Sequence, residues 1–157
     1  MTGLDRIDLA LLGALQNDAR LSNKELAGKA GLAPSSTLGR IQRLRAAGVL
    51  RGAHAEVDPT ALGIGLEALV FIRMVSHSQQ QSDPFRDHLL AQPEVTTFWY
   101  VGGEDDVLLH VMVKDARHLH DLLQSRIASR SEVDRVRTEI VFEHVRKPAL
   151  PSYVEPR

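Results

Sequence analysis

The sequence predicts an α+β chain in two parts: a three-helix head, then a sheet unit running strand-helix-strand-strand-helix-strand. Three observations carry this. Apolar side chains recur at helical spacing through the first 50 residues, between recognisable cap and stop signals. From Leu66 onward, four strand-like segments are separated by two helical ones. The charge also changes sign between the halves. Residues 1–60 hold eight basic and six acidic side chains, whereas residues 61–157 hold eleven and fourteen.

The first helix spans about residues 5–17, with Ile7, Leu11, Ala14 and Leu15 on one face, Asp5 as its cap and Asn17-Asp18 as its end. Ser22 and Glu25 have capping-box spacing and open a second helix. Leu26, Ala27 and Ala30 form its inner stripe, and Gly31 stops it. Pro34 is well placed as the first residue of a third helix, which Gly48 ends. Leu38, Ile41 and Leu44 are expected to face inward.

Two helices joined by a short glycine-containing turn make a helix-turn-helix, here of winged-helix-like type. With Leu38 inward, Ser36, Gly39, Arg40 and Arg43 fall on the opposite face at about 100° per residue. Small residues let a helix start enter the major groove, and arginines reach bases or phosphates. The expected DNA contacts are therefore Lys24, Ser35, Ser36, Thr37, Gly39, Arg40, Arg43, Arg45 and Arg51. Arg45 lies toward the apolar side, which suits a phosphate contact or an internal pair. Arg20 to Arg51 carries seven basic side chains against Glu25 alone, a local +6 within a chain of net charge −1. A solvated helical surface is the plainer explanation of that patch.

Residues 51–65 read as a linker strand and hinge: a short extended stretch, the Asp58-Pro59 turn and a flexible apolar joint at Leu62–Gly65. The second domain, residues 66–157, is expected to hold a strand over 66–75 and a Ser/Gln-rich loop over 76–82. A helix opening at Asp83-Pro84 comes next, then strands over 95–101 and 107–113, a helix capped by Asp115, and a last strand over 133–145. This order is that of a ferredoxin-like fold, an antiparallel sheet with helices on one face. Its open face must stay wet or be covered by another copy, so a homodimer is expected.

With 43% hydrophobic residues the chain can support packed cores. There is no cysteine, which excludes disulfides, thiolate metal sites and cysteine nucleophiles. No apolar run has the length of a membrane span and the N-terminus lacks a signal-peptide pattern, so a cytoplasmic location is expected. No phosphate loop, dinucleotide fingerprint or serine elbow appears, and no catalytic residue is assigned. His118 and His120 point apart on one helix, and His54, His77, His88, His110 and His144 show no ligand spacing, so no metal ligand is assigned. His110 reads as a core or interface histidine, with an effector contact as the alternative. Trp99 and Tyr100 read as cross-strand packing.

These residues carry a resemblance. Leu4-Asp5, Asp8, Leu12, Leu15 to Ser22, Glu25-Leu26-Ala27, Gly31-Leu32, Arg40 to Leu44 and Gly48 to Gly52 together resemble the Lrp/AsnC, or feast/famine, transcriptional regulators. In the second half, Val101 to Asp106 and the last strand resemble that family's sensing domain. The resemblance implies a nucleoid-associated regulator that binds double-stranded DNA and forms dimers, often assembled into octamers. It also implies an effector, an amino acid or similar small molecule, and no cofactor. The effector loop is then Gly102, Gly103, Glu104, Asp105 and Asp106, with Thr138 a further lining residue. The glycines admit close approach of a carboxylate, and the acidic side chains favour an amino-bearing ligand. The chain departs from the family pattern at Ala33, Asp105 and Glu132, where Ser or Thr, an aromatic residue and glycine are usual. Two other functions fit the same architecture: a tetrapyrrole (sirohaem-type) decarboxylase and a nonspecific chromosome-organising protein. The intact basic helix weighs against the decarboxylase.

Overall fold

The computed structural model describes residues 3–76 and 79–154, without the side chains of residues 79–81. His77 and residues 155–157 lie outside the described residues. The chain divides into two compact units: residues 57–144, and a head made of residues up to 56 together with the segment from Val145 onward. The expected second domain ran on to residue 157; the segment after His144 instead groups with the head.

The head contains α1 (Arg6–Asn17), α2 (Asn23–Ala30) and α3 (Pro34–Ala46). Each begins where local chemistry favours it. The Asp5 carboxylate accepts from the Asp8 amide at 2.8 Å while Asp8 accepts from the Asp5 amide, a reciprocal box made of two aspartates. Ser22 and Glu25 form the expected box at α2, with the Glu25 carboxylate accepting from the Ser22 amide at 2.7 Å. Pro34 opens α3, and no side chain caps it. Leu11, Leu26, Ile41 and Leu44 form the small apolar core. The tail ties back where the Leu150 amide donates to Gln16 Oε1 at 2.8 Å.

Two details of α3 differ from the sequence reading. Leu38 is 47% exposed, and Thr37 is fully buried beside Ile41 and Leu44. The inner face is thus turned by about 30°, with Thr37 in place of Leu38 while Ile41 and Leu44 stay inside. Thr37 can be buried because its hydroxyl donates to the Ala33 carbonyl at 3.2 Å, which leaves no polar group unpaired. Residues 51–58 are also corrected: they form no strand. A strand needs a partner for its amides and carbonyls, and the described residues offer this segment none.

The second unit contains β1 (Leu66–Met74), α4 (Gln79–Leu90), β2 (Val95–Tyr100), β3 (Val107–Val113), α5 (Ala116–Leu122) and β4 (Val133–Val141). α5 runs on as a π-helical turn over Leu123–Ala128. α4 begins at Gln79, ahead of the expected Asp83 start, and takes Pro84 into its interior. β4 stops at Val141, short of the expected 145, because the chain from Phe142 onward lies in solvent. The sheet is antiparallel in the order β2-β3-β1-β4. Alternate residues Ala68 to Met74 and Val107 to Val113 pack against Phe85, Leu89, Leu119, Leu122 and Ile127. The other face carries Glu67, Leu69, Phe71, Leu108, His110 and Met112, and among the described residues no helix covers it. The joint before β1 is closely fitted rather than loose. A Cβ on Gly65 would lie 2.5 Å from the Lys114 carbonyl oxygen.

Candidate nucleic-acid interface and effector loop

The head is braced for one presentation of α3. The Asn23 side chain donates to the Pro34 carbonyl at 2.8 Å, tying the start of α2 to the start of α3. On the other side, the cap of α1 doubles as a latch. Arg40 donates to Asp5 at 2.5 Å and to Asp8 at 2.9 Å, and Arg43 donates to both oxygens of Asp8 at 2.7 and 2.9 Å. The Asp8 side chain is 1% exposed, so these two guanidiniums are what make its burial tolerable. The Asp8 amide and then the Arg40 guanidinium hold the Asp5 carboxyl below the usual carboxylate range.

This geometry corrects two expected DNA contacts. Thr37 faces the core. Arg40 is engaged with α1 and three-quarters buried, so it positions α3 rather than reading bases. Arg43 keeps half of its side chain in solvent beside the same carboxylate. Ser35, Ser36, Gly39, Arg45, Lys24 and Arg51 are all exposed. With Thr37, Ile41 and Leu44 inward, the middle of the outward face is Ser35, Gly39 and Gln42. Gln42 escaped the sequence reading because that reading set the helix by Leu38.

In the second unit the acidic loop is largely offset by arginines of β4. Asp105 is buried at the foot of β4, 3.1 Å from Arg137 and 3.5 Å from Arg135. Glu104 accepts from Arg135 at 2.7 Å, which holds its carboxyl below the usual range. Arg137 also pairs with Glu139 and lies 3.9 Å over the Phe71 ring. Asp106 closes the sheet: its carboxylate accepts from the Met74 amide at 2.7 Å, and its own amide donates to the Ile72 carbonyl. The expected surplus of negative charge is therefore reduced, because β4 sets two arginines against the three loop carboxylates. Gly102 and Gly103 are exposed, and Gly103 has φ 142°, a conformation that favours glycine. Thr138 pairs with Val70 on the helix-covered face, whereas its neighbour Arg137 points to the open face with the loop's partners. The fold does not bring Thr138 together with the acidic loop.

One group was missed entirely. Glu67, His110 and His144 converge although they are 43 and 34 residues apart along the chain, a separation no spacing rule can see. His110 Nε2 is 2.9 Å from Glu67 Oε2, and His144 Nδ1 is 3.7 Å from the same oxygen.

Two family models match the chain: the AsnC-type helix-turn-helix domain over residues 4–45 and the Lrp/AsnC ligand binding domain over residues 67–150. The chain belongs to the Lrp/AsnC family of transcriptional regulators. It is 36% identical over 143 residues to the HTH-type transcriptional regulator AldR of Mycolicibacterium smegmatis, covering 91% of this chain and 84% of that protein. It is 40% identical over 140 residues to the regulator LrpA of Mycobacterium tuberculosis, covering 88% and 90%. Among solved structures, an AsnC family regulator from Agrobacterium tumefaciens aligns with a TM-score of 0.86 at 32% identity, covering 94% of this chain and 97% of that one. A Neisseria meningitidis regulator solved in complex with L-Met aligns with a TM-score of 0.85 at 25% identity, covering 98% and 96%. The Lrp/AsnC likeness thus extends over both units, and these relatives are all named as regulators, which favours regulation over the decarboxylase reading. No described helix is long and apolar enough to cross a membrane.

Proposed function

We propose that this Lrp/AsnC regulator reads DNA with Ser35, Ser36, Gly39 and Gln42 on the outward face of α3, while Lys24, Arg43, Arg45 and Arg51 meet phosphates. The observation that supports this is the rotated helix face, which leaves Ser35, Gly39 and Gln42 outward on a helix whose start no side chain caps. A glutamine can bond bidentately to adenine, and small neighbours permit close approach. The test is anisotropy with the chain's own promoter and a scrambled duplex at fixed salt. Gln42→Ala should lower promoter affinity about tenfold or more and leave scrambled-duplex binding unchanged. Equal losses on both duplexes would remove the base-reading role.

The working form in this reading is a homodimer, built further into an octamer, located with the chromosome in the cytoplasm. The half-buried Leu69, Phe71, Leu108 and Met112 on the open sheet face favour a second copy there. The effector is an amino acid bound near Gly102 and Gly103, a reading favoured by the L-Met complex of the neisserial regulator. Because Arg135 and Arg137 already offset most of the loop's negative charge, the site suits a ligand of no net charge better than a dication. Calorimetry with the twenty amino acids tests this; absence of heat for all of them removes the sensing role and leaves DNA reading intact.

A further inference from the structure

The open face of the sheet holds a preorganised set of ligand atoms at one end. Glu67 lies on β1, His110 on β3, and His144 three residues past β4. Their ligating atoms all lie within 4.8 Å of one another. His110 is 7% exposed, Glu67 is partly buried, and His144 is half in solvent. The two imidazole rings meet edge to face at 5.4 Å.

The hydrogen bonds around His110 decide what this group wants. Thr96 Oγ1 donates to the His110 carbonyl at 3.1 Å, which uses its one proton. The same oxygen is 2.8 Å from His110 Nδ1, and it accepts there in the tautomer that carries Nδ1–H. In that tautomer of the neutral ring, Nε2 carries a lone pair aimed at a carboxylate oxygen 2.9 Å away. Two lone pairs at that distance need a cation between them. A proton on Nε2 would satisfy that pair, but it gives no role to His144 Nδ1, which approaches the same oxygen. A hydroxyl or carboxylate that fixes the far nitrogen is also how a metal-binding histidine is commonly oriented.

We infer that Glu67, His110 and His144 form a binding site for a divalent transition-metal ion, of the class that takes imidazole and carboxylate together. Zinc at about 2.0–2.1 Å from tetrahedral ligands sets them about 3.3 Å apart. Reaching this requires His110 and Glu67 to separate by a few tenths of an ångström. The exposed His144 side chain supplies the closing movement. Two imidazoles and one carboxylate leave a fourth position for a water or another ligand. Hard cations such as magnesium and calcium prefer all-oxygen sets and are disfavoured.

The test is calorimetric titration of the full chain with zinc chloride after chelator treatment and dialysis, with cobalt(II) absorption as a second readout. The expected result is one zinc per chain and a tetrahedral cobalt spectrum. His144→Ala and Glu67→Gln should each weaken binding at least tenfold. Thr96→Val, which loosens His110 without removing a ligand, should weaken it about tenfold. His120→Ala, on the exposed side of α5, should change nothing. His144 is exposed and comes after the last strand, so its variant keeps the test valid even if Glu67→Gln fails to fold. No binding by the wild type, or binding that His144→Ala leaves intact, overturns the site.

Discussion

The head and the sheet unit each bury a carboxylate beside two arginines, but they place it differently relative to the apolar core. In the sheet unit a continuous apolar core, centred on β1, β3, Phe85 and Ile127, is fully dry, and the charged pairs sit at its rim. In the head the apolar core is small, and a buried carboxylate with two arginines lies between α1 and α3. The difference teaches that a basic count does not measure how much charge is free for a partner. Arg40 is committed to the fold of the head, while Arg45 and Lys24 stay available. A helix that must present a fixed face to DNA gains from being latched at its side, and the latch uses the residue types the ligand would otherwise take.

The largest effects should separate the two units. Asp8→Ala leaves two guanidiniums without their buried partner and should destabilise the head by about 3–5 kcal/mol. Phe85→Ala should cost the sheet unit about 3–5 kcal/mol by opening a cavity. Hydrogen exchange resolves them: the first should release amides of α1 and α3 only, the second those of β1, β3 and α4 only. Release of both units by either variant would break the contrast.

Arg137→Ala probes the rim. Asp105 keeps Arg135 at 3.5 Å, so the loss should be about 1.5 kcal/mol, well below that of Asp8→Ala. A thermal melt that matched the Asp8 variant would show that the loop carboxylate is as dependent on its partner as the head's. Ser22→Ala should cost about 1 kcal/mol by removing half of the α2 box. It should not change promoter specificity, since Asn23 still ties α2 to α3.

The gentlest perturbation is acid. Asp5 is held below its ordinary range by the Asp8 amide and the Arg40 guanidinium, and Glu25 by the Ser22 hydroxyl and amide. Carboxyls depressed in the fold contribute stability that is complete above their unfolded values and is lost as pH falls through the folded ones. The head's melting temperature should therefore hold from neutrality to about pH 5 and decline below about pH 4. A decline beginning near pH 6 would instead implicate histidine.

The features legible in the sequence are those that neighbouring residues decide. The caps at Asp5, Ser22 and Asp115, the Pro34 start and the alternation of β3 depend on residues a few positions apart, and all are present. The features hidden from it depend on residues brought together by folding. Asp8 meets Arg40 and Arg43 across 32 and 35 positions, and Asp105 meets Arg137 across 32. The phase of α3 failed for a subtler reason. A hydrophobicity argument puts Leu38 inside, but a threonine that bonds its own helix carries no polar penalty and can take the place. The Gln79 start of α4 failed because Asp-Pro reads as a beginning, whereas here it lies within the helix.

The tie between Gln16 and Leu150 spans 134 positions. A ribosome delivers α1 to α3 long before it delivers that partner, so the three helices must hold together while the sheet is still being made. The groups that hold them, the small apolar core and Asp8 with its arginines, all lie within the first 44 residues. The Leu150 tie can therefore form only once the sheet strands have been synthesised. Two prolines, Pro148 and Pro151, bracket Leu150 and restrict the backbone on either side of the fastening residue. The segment thus arrives with few conformations to lose, which suits a contact made in a single late step.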